Sequence, residues 1–435
     1  MIREIEELIG ETATQSLDFE AIETAVRREA LRVAARAVEQ RINADHSDYV
    51  GPEAPCSCGK LADYKGRVEK TIKSVLGDMT LGRAYYHCNE CDCGFYPRDR
   101  ALCIKDSTLS PAVTRMIASV GAMVSFEEGA GLMQELAGVN VNAKQVERSA
   151  EKLGREIVVD ERNHTEPDIE ISPTLYLGMD GTGIPMRASE LKDRVGKQPD
   201  GTAKTREVKL CTVWSAEGRD KDGVPQRDEG SISYSAAIES AAMKDTAEGP
   251  SAFAERVLRE AARRGFNKAP RRVVLGDGAP WIWNMADEYF PDAIQIVDRF
   301  HVKQHLTDVA KAVYGSESDM AKVWGKQLRD NLDDEKLDEI LAALASHSAR
   351  CEEARKCIDY INTNRNRMRY VKFRDQGLCT STGVVEAGCK VTIGTRLKRA
   401  GMHWTLLGAN AIIALRCCKL SGRFESFWER RAAVA

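Results

Sequence analysis

Leu175-Tyr176-Leu177-Gly178-Met179-Asp180-Gly181-Thr182-Gly183 is an apolar run that ends on a carboxylate and passes into small residues. A short apolar run bounded by turn signals reads as a buried strand. A second run of the same build, Val273-Val274-Leu275-Gly276-Asp277-Gly278-Ala279, follows 97 residues later. Either Asp-Gly alone is ordinary, because Asp caps helices and starts turns. The pair gains meaning from a third acid, Glu386, in Thr382-Gly383-Val384-Val385-Glu386-Ala387-Gly388-Cys389-Lys390, which reads as the start of a helix. Separated carboxylates that a fold brings together suit Mg²⁺, a hard cation that binds oxygen. Two such ions about 4 Å apart can clamp the attacking and leaving oxygens of a phosphodiester.

The surrounding pattern is α/β. Strands are predicted at 174–179, 207–214 and 231–236, a helix at 251–265, and strands at 271–276 and 293–297. The polar loop 216–230, with Gly218 and Gly223, suits a hairpin connection. Three strands, a helix, a fourth strand, a helix and a fifth strand is the order of a ribonuclease-H-like domain. There the first strand lies beside the fourth, so Asp180 and Asp277 are expected to meet. Residues 299–375 are polar and helical in pattern with no strand-like run, which predicts a helical insertion before the helix of Glu386.

Other residues near these acids leave alternatives open. Asp298 also follows a strand and competes with Asp277 as second ligand. His301 and His305 fall four apart on one helical face, fit for a metal pair, a role beside the reacting phosphate, or packing. Lys390 lies one turn after Glu386 and would contact phosphate or pair with that acid. Arg365, Arg367, Arg369, Lys372 and Arg374 follow one another without an acid, as in a solvated helix face or a phosphate-contacting segment.

The N-terminal third is built differently. Residues 1–45 show helical spacing at Ile5, Leu8, Ile9, Ile22, Ala25, Val26, Leu31, Val33 and Ala34, which suits a packing or oligomerisation helix pair. Next, Cys56-x-Cys58-Gly59 and Cys88-x-x-Cys91-x-Cys93-Gly94 flank two alternating segments, Arg67–Val75 and Met79–Tyr86. Two cysteine pairs separated by a β-hairpin are the arrangement of a zinc ribbon, a closed four-thiolate site. Cys56, Cys58, Cys88 and Cys91 are the expected ligands, with Cys93 as an alternative. Helices over Leu109–Val120, Ser125–Leu136 and Asn142–Leu153 then give a helix-turn-helix layout or a plain packing bundle. In the first case Lys144, Gln145 and Arg148 face DNA. Residues 157–172, rich in Asp, Glu, Asn and Pro, read as a linker.

Composition bounds the class. The chain has 435 residues, 43% hydrophobic and 30% charged, as in a multidomain soluble protein. No apolar run approaches a membrane span, and the acidic N-terminus is no secretory signal. A reducing cytoplasm is expected, where 13 cysteines are thiols or metal ligands rather than disulfides. The net charge of −3 is uneven: residues 1–50 carry −5, and residues 361–435 carry +10. A polyanion is drawn to the C-terminal part.

Several motifs together resemble the bacterial insertion-sequence transposases of the ISKra type. They are Asp180-Gly181-Thr182-Gly183-Ile184-Pro185, Gly196-Lys197-x-x-Asp200-Gly201, Thr205-Arg206-Glu207-Val208-Lys209-Leu210 and Gly276-Asp277-Gly278-Ala279-x-Trp281-Ile282-Trp283. Asp298-Arg299-Phe300-His301-Val302, Gly383-Val384-Val385-Glu386 and Arg396-Leu397-Lys398-x-x-Gly401-Met402-x-Trp404 continue the likeness. The resemblance implies a DDE transposase with two Mg²⁺ ions (Mn²⁺ as a substitute), acting on the terminal inverted repeats of its own element. It places the three carboxylates on Asp180, Asp277 and Glu386, and the Asp-x-x-His of mutator-like enzymes on Asp298 and His301.

The resulting expectation is a multidomain α+β protein. A ribonuclease-H-like α/β catalytic core (173–300 and 376–410) is interrupted by an all-helical insertion (301–375). It is preceded by a helical N-terminus (1–50), a zinc ribbon (51–104) and a helix-turn-helix (105–158), and followed by a helical tail (411–435). The expected partners are element-end and target DNA and at least a second copy of the chain, with the protein on the bacterial nucleoid when DNA-bound. The rival readings are a catalytically silent, zinc-containing DNA-binding regulator and a ribonuclease-H-like repair or RNA nuclease.

Overall fold

The computed structural model describes residues 19–164, 170–192, 194–196, 198, 201–242 and 249–434. The expected helical positions Ile5, Leu8 and Ile9, part of the expected linker, and the motif positions Lys197 and Asp200 lie outside the described residues. The chain forms two compact units, Met1–Leu153 with Glu425–Ala435, and Gly154–Phe424. Among the described residues no helix is long and apolar enough to cross a membrane.

In the first unit, β1 (Glu53–Pro55), β2 (Leu61–Ser74), β3 (Gly77–Cys88) and β4 (Cys93–Phe95) form an antiparallel sheet in sequence order. β4 covers only the end of β3, pairing residues 86–88. The rest of that edge is met by the helix Phe19–Ala44. Its Glu39 and Asn43 side chains accept from the backbone N–H groups of Thr80 and Gly82 at 2.6 and 2.9 Å. An edge covered in this way cannot pair with another chain. Ala35 packs there with Ile72, Met79, Leu81 and Ile104.

Three helices follow, Pro111–Met123, Phe126–Ala137 and Ala143–Asn163. Ser110 caps the first. Ser125 and Glu128 form a reciprocal capping box on the second, and Gly138 ends it in the left-handed conformation. Leu109, Val113, Ile117, Met133, Val141 and Val146 are their shared core. The third helix does not stop near Leu153 but runs to Asn163, through residues read as linker. Its apolar stripe Val146, Ala150, Leu153, Ile157 continues unbroken and buried. Glu161 near its end is an ion-pair partner of Arg423 at 2.8 Å. Glu161, one of the acids that suggested a linker, is thus structural.

The second unit holds a five-stranded sheet of β5 (Thr174–Pro185), β6 (Thr205–Ser215), β9 (Ser233–Ala237), β10 (Arg271–Gly276) and β11 (Ile294–Val297). Between β6 and β9 lies a minor hairpin, β7 (Gly218–Arg219) with β8 (Pro225–Gln226). The sheet order is β11-β10-β5-β6-β9. β5, β6 and β9 pair antiparallel, and β10 pairs parallel with both β5 and β11. β5 is wholly buried from Thr174 to Met179, because both faces of the sheet are covered.

Residues 301–375 are helical as expected, but they are not a separate body. Leu306, Leu328, Ile340, Leu344, Ile361 and Tyr370 belong to the same core as the sheet residues Leu177, Val274 and Ile296. The C-terminal part is helical, as Leu406–Leu420 and Phe424–Val434. Helix Leu406–Leu420 is buried over residues 411–418 and packs on β9, with Asn410 accepting from the Ile238 N–H at 2.8 Å. A helix apolar all round is a core helix.

Candidate functional site

β10 pairs with β5 from Arg271↔Thr174 to Leu275↔Gly178. The same offset, carried two residues further, sets Asp277 opposite Asp180 where both strands leave the core. Asp180 is half-buried, and its carboxyl is raised above the usual range. Burial is the main cause, and the charge of Asp277 adds to it. The Gly181 N–H, at 2.6 Å, and the Cys389 thiol act in the opposite direction. Asp277 folds back on its own turn, accepting from the Ala279 N–H at 2.9 Å. Gly278 has φ +100°, and a methyl group there would stand 2.4 Å from the Tyr360 ring. Glycine is therefore required on both counts. The Tyr360 hydroxyl donates to the Asp277 carbonyl at 2.8 Å, fixing this turn.

Glu386 lies on the short helix Gly383–Gly388, with its side chain exposed. That helix lies directly on β5. A methyl group on Gly178 would stand 2.2 Å from Val385 Cγ2 and 2.9 Å from Trp214 Cζ3. Gly178→Ala should therefore push the Glu386 helix away, costing about 1–3 kcal/mol as an overpacked core does. Thermal unfolding checks the cost, and an unchanged melting temperature would show that the contact yields freely.

The helix then widens into a π-turn, Cys389–Gly394, and closes as Thr395–Leu397. Buried Arg416 explains how the irregular turn is tolerated. Its guanidinium donates to the carbonyls of Thr392, at 2.7 Å, and Val391. Such bulges recur at functional sites. This one presents Cys389 to Asp180, and burial followed by that carboxylate's charge pushes the thiol pKa up. Lys398, just beyond it, donates to Thr182, two residues past Asp180.

Both carboxylate oxygens of Asp298 are engaged within the chain. One carboxylate oxygen caps helix Arg299–Tyr314 by accepting from Phe300 N at 2.7 Å. The other accepts from the Thr382 N–H at 3.0 Å and from the Thr382 hydroxyl. The buried acid thus ties the start of the Glu386 helix to the end of β11. His301 and His305 touch through their Nε2 atoms at 3.2 Å. Burial, then His301, lowers the His305 pKa.

Four sulfurs, those of Cys56, Cys58, Cys88 and Cys91, lie within 4.8 Å of one another. Thiolates around a zinc at 2.3 Å stand about 3.8 Å apart, and the pairs Cys56–Cys91 and Cys58–Cys88 are both at 3.6 Å. The tight Cys56-x-Cys58 knuckle works because the Gly59 N–H donates back to the Cys56 carbonyl at 3.0 Å. The Cys58 backbone N–H is the main influence bringing the Cys56 thiol down to about 7. This cluster could hold a metal such as zinc. Cys93, the alternative ligand, lies outside it, exposed on β4. Among the described residues no other three His, Cys, Asp or Glu ligand atoms gather as closely, so Asp180, Asp277 and Glu386 do not converge to single-ion spacing.

The residues expected to meet DNA divide into two sets. Lys144 is paired with Glu147 at 2.6 Å, and Arg148 is exposed. Gln145 closes a reciprocal cap with Asn142, at 3.0 and 2.9 Å, so its amide is not aimed at a base edge. Gln145→Ala should cost about 1 kcal/mol of stability, the worth of a cap. Arg148→Ala should cost none, and calorimetry of the two variants separates them.

Arg365 pairs with Asp338 at 2.7 Å. Arg367 stacks 4.6 Å over Trp283 and donates to Gln295 at 2.6 Å. Arg367 is largely occupied within the fold, Arg365 is in a surface ion pair, and Arg369 and Lys390 are exposed. Arg367→Ala should lower stability by about 1–2 kcal/mol through the lost stacking and hydrogen bond. Arg369→Ala should leave the melting temperature unchanged, and a drop there as large as that of Arg367→Ala contradicts this division. The basic excess of the C-terminal part is likewise partly internal, since Arg396, Arg416 and Arg423 are engaged inside.

The model of an uncharacterised protein family, UPF0236, matches residues 62–431. The chain belongs to the UPF0236 family. A search of curated proteins finds no match. Among solved structures, the Drosophila P element transposase strand transfer complex is similar at 10% identity with a TM-score of 0.26. That likeness covers 73% of this chain and 80% of the other. The match to UPF0236 begins after Cys56 and Cys58 and takes in Cys88, Cys91, both strand-end aspartates and the Glu386 helix.

Proposed function

We propose that this UPF0236 protein is a DDE-type DNA transposase. The observation that carries the reading is the parallel β5–β10 register, which sets Asp180 beside Asp277 with the Glu386 helix packed against the same strand. The strand order and directions, with helices between the fourth strand's acid and the third acid, support reading the sheet as a ribonuclease-H-like core. The motif resemblance to ISKra-type transposases supports the same assignment.

The donor set suits Mg²⁺ or Mn²⁺. Hard oxygen ligands stand at neighbouring strand ends, where burial and then Asp277 disfavour charge on Asp180, and a bound cation would offset that. Asp180, Asp277 and Glu386 would hold the ions, and two ions share a wider ligand set than one. When bound, they supply stabilisation of charge on the attacking and leaving oxygens of an in-line displacement. Water attacks the phosphodiester at the element's end, a P–O bond forms as another breaks, and a 3′-hydroxyl leaves. That hydroxyl then attacks target DNA, exchanging one P–O bond for another without a protein nucleophile. Within the chain, Asp298 and Tyr360 position the carboxylate-bearing segments. Lys398, Lys390 and Arg369 offer charge to phosphate, and Lys144 and Arg148 offer contacts to the ends.

The test is purified protein, Mg²⁺ and a labelled fragment carrying the element's own ends, with homodimer or higher assembly read from the size of the DNA complex. Cleavage leaving a 3′-hydroxyl is expected. Firm end binding with no cleavage by the intact chain would establish the silent-regulator reading.

A further inference from the structure

Helix Pro280–Tyr289 begins three residues after Asp277 and turns one face to an open cleft. Trp281, Asn284, Met285 and Glu288 follow one another there at helical spacing, and Tyr289 closes one end. Ala241, Ala242, Ser251 and Ala254 form the remaining wall, and the free volume is about 230 Å³. Trp281 is held rigidly. Phe253 meets it edge-on at 5.7 Å, and Lys209 Nζ lies 5.0 Å from its ring centre. Lys209 stands opposite Gly181 in the β5–β6 register, the residue after Asp180. Trp281 therefore stands at the same end of the sheet as the two aspartates.

The lining selects its occupant. Alanine and serine side chains share the lining with the indole and leave room for a ring beside it. Asn284 and Glu288 are exposed at the mouth, one helical turn apart. A carboxylate there repels phosphate but accepts from an exocyclic amino group, and an amide pairs with the edge of adenine. Stacking of an unpaired base on an aromatic ring is one way proteins bind single strands.

We propose that this cleft receives one unstacked nucleobase bearing an exocyclic amino group, adenine or cytosine, from a single strand near the carboxylates. The proposal rests on the reading above for its polymer and goes beyond it in assigning Trp281, Asn284 and Glu288. The base stacks on Trp281 while Asn284 and Glu288 read its amino edge.

The test measures binding of the full chain to short single-stranded oligonucleotides of dA, dC or dT and to end duplex, by fluorescence anisotropy. Trp281→Ala should weaken single-strand binding roughly 5- to 150-fold, the worth of one base–aromatic stack, with duplex binding unchanged and Trp281→Phe restoring most of the loss. Asn284→Ala and Glu288→Ala, at exposed positions that do not threaten the fold, should remove the preference for dA and dC over dT. The cleft assignment is overturned if Trp281→Ala binds single strands as the parent does, or if the parent shows no preference for dA and dC. Should Trp281→Ala fail to fold, the two exposed variants decide. Duplex binding without single-strand binding sinks the cleft alone, and binding to neither sinks the transposase reading with it.

Discussion

Glu386→Ala should abolish strand cleavage while leaving the melting temperature and end binding as they were. Its side chain is exposed on a short helix, so its removal opens no cavity and strands no buried partner. Asp180→Ala and Asp277→Ala should abolish cleavage too. The expected loss is at least about 10²–10³-fold in each case, the scale of removing one preorganised electrostatic group from a reacting centre. End binding should survive, because a carboxylate without its cation repels phosphate. Asp298→Ala is the contrast. It removes a helix cap and the Thr382 tether together, so it should lower stability by about 1–3 kcal/mol through unpaired buried groups. Its activity should fall through displacement of the Glu386 helix. Gel assays of cleavage beside thermal unfolding of the four variants make the comparison. An Asp277→Ala protein that still cuts, beside a well-folded Asp298→Ala protein that does not, would falsify the choice of second ligand.

The strands around Asp180 and Asp277 were legible because apolar runs ended by Asp-Gly carry both the period and the stop. Their pairing followed from element order alone. Four things were hidden for physical reasons. The stripe Val146–Ile157 was masked by acids whose partners, such as Arg423, lie far off in sequence. The burial of Leu406–Leu420 was missed because its neighbouring Arg and Lys were read as surface charge, while Arg416 spends its charge on the carbonyls of a π-turn. Asp298 looked like a ligand because capping and ligation place the same residue after a strand. Tyr360, Cys389 and Lys398 could not be found from spacing, because they reach Asp277, Asp180 and Thr182 across the fold. The signal that pointed toward them was only the glycines, Gly178 and Gly278, whose missing side chains make room for Val385 and Tyr360.

Loss of metal from the cysteine cluster should have the largest effect on folding of any single change. Residues 53–95 make only a thin sheet, and the core beside the sulfurs is small: Ala54, Ala62, Ala84 and Tyr86 with the cysteines themselves. A structural zinc contributes on the order of 10–16 kcal/mol to such a segment, because the thiolates converge only when it is folded. Cys88→Ser should abolish binding, since Cys88 is buried and 3.6 Å from Cys58, and a hydroxyl does not replace a thiolate. Cys93→Ser should change nothing, because that thiol is exposed and outside the cluster. Metal analysis of freshly purified protein should find about one zinc per chain. A chelator should then release it and expose residues 51–104 to proteolysis, while the core of the second unit, with Leu177, Val274, Ile296 and Leu306, stays folded because it contains none of the four sulfurs. A chain that contains no zinc when isolated without chelator, yet protects residues 51–104 from protease, would show that the four sulfurs gather for packing and not for metal.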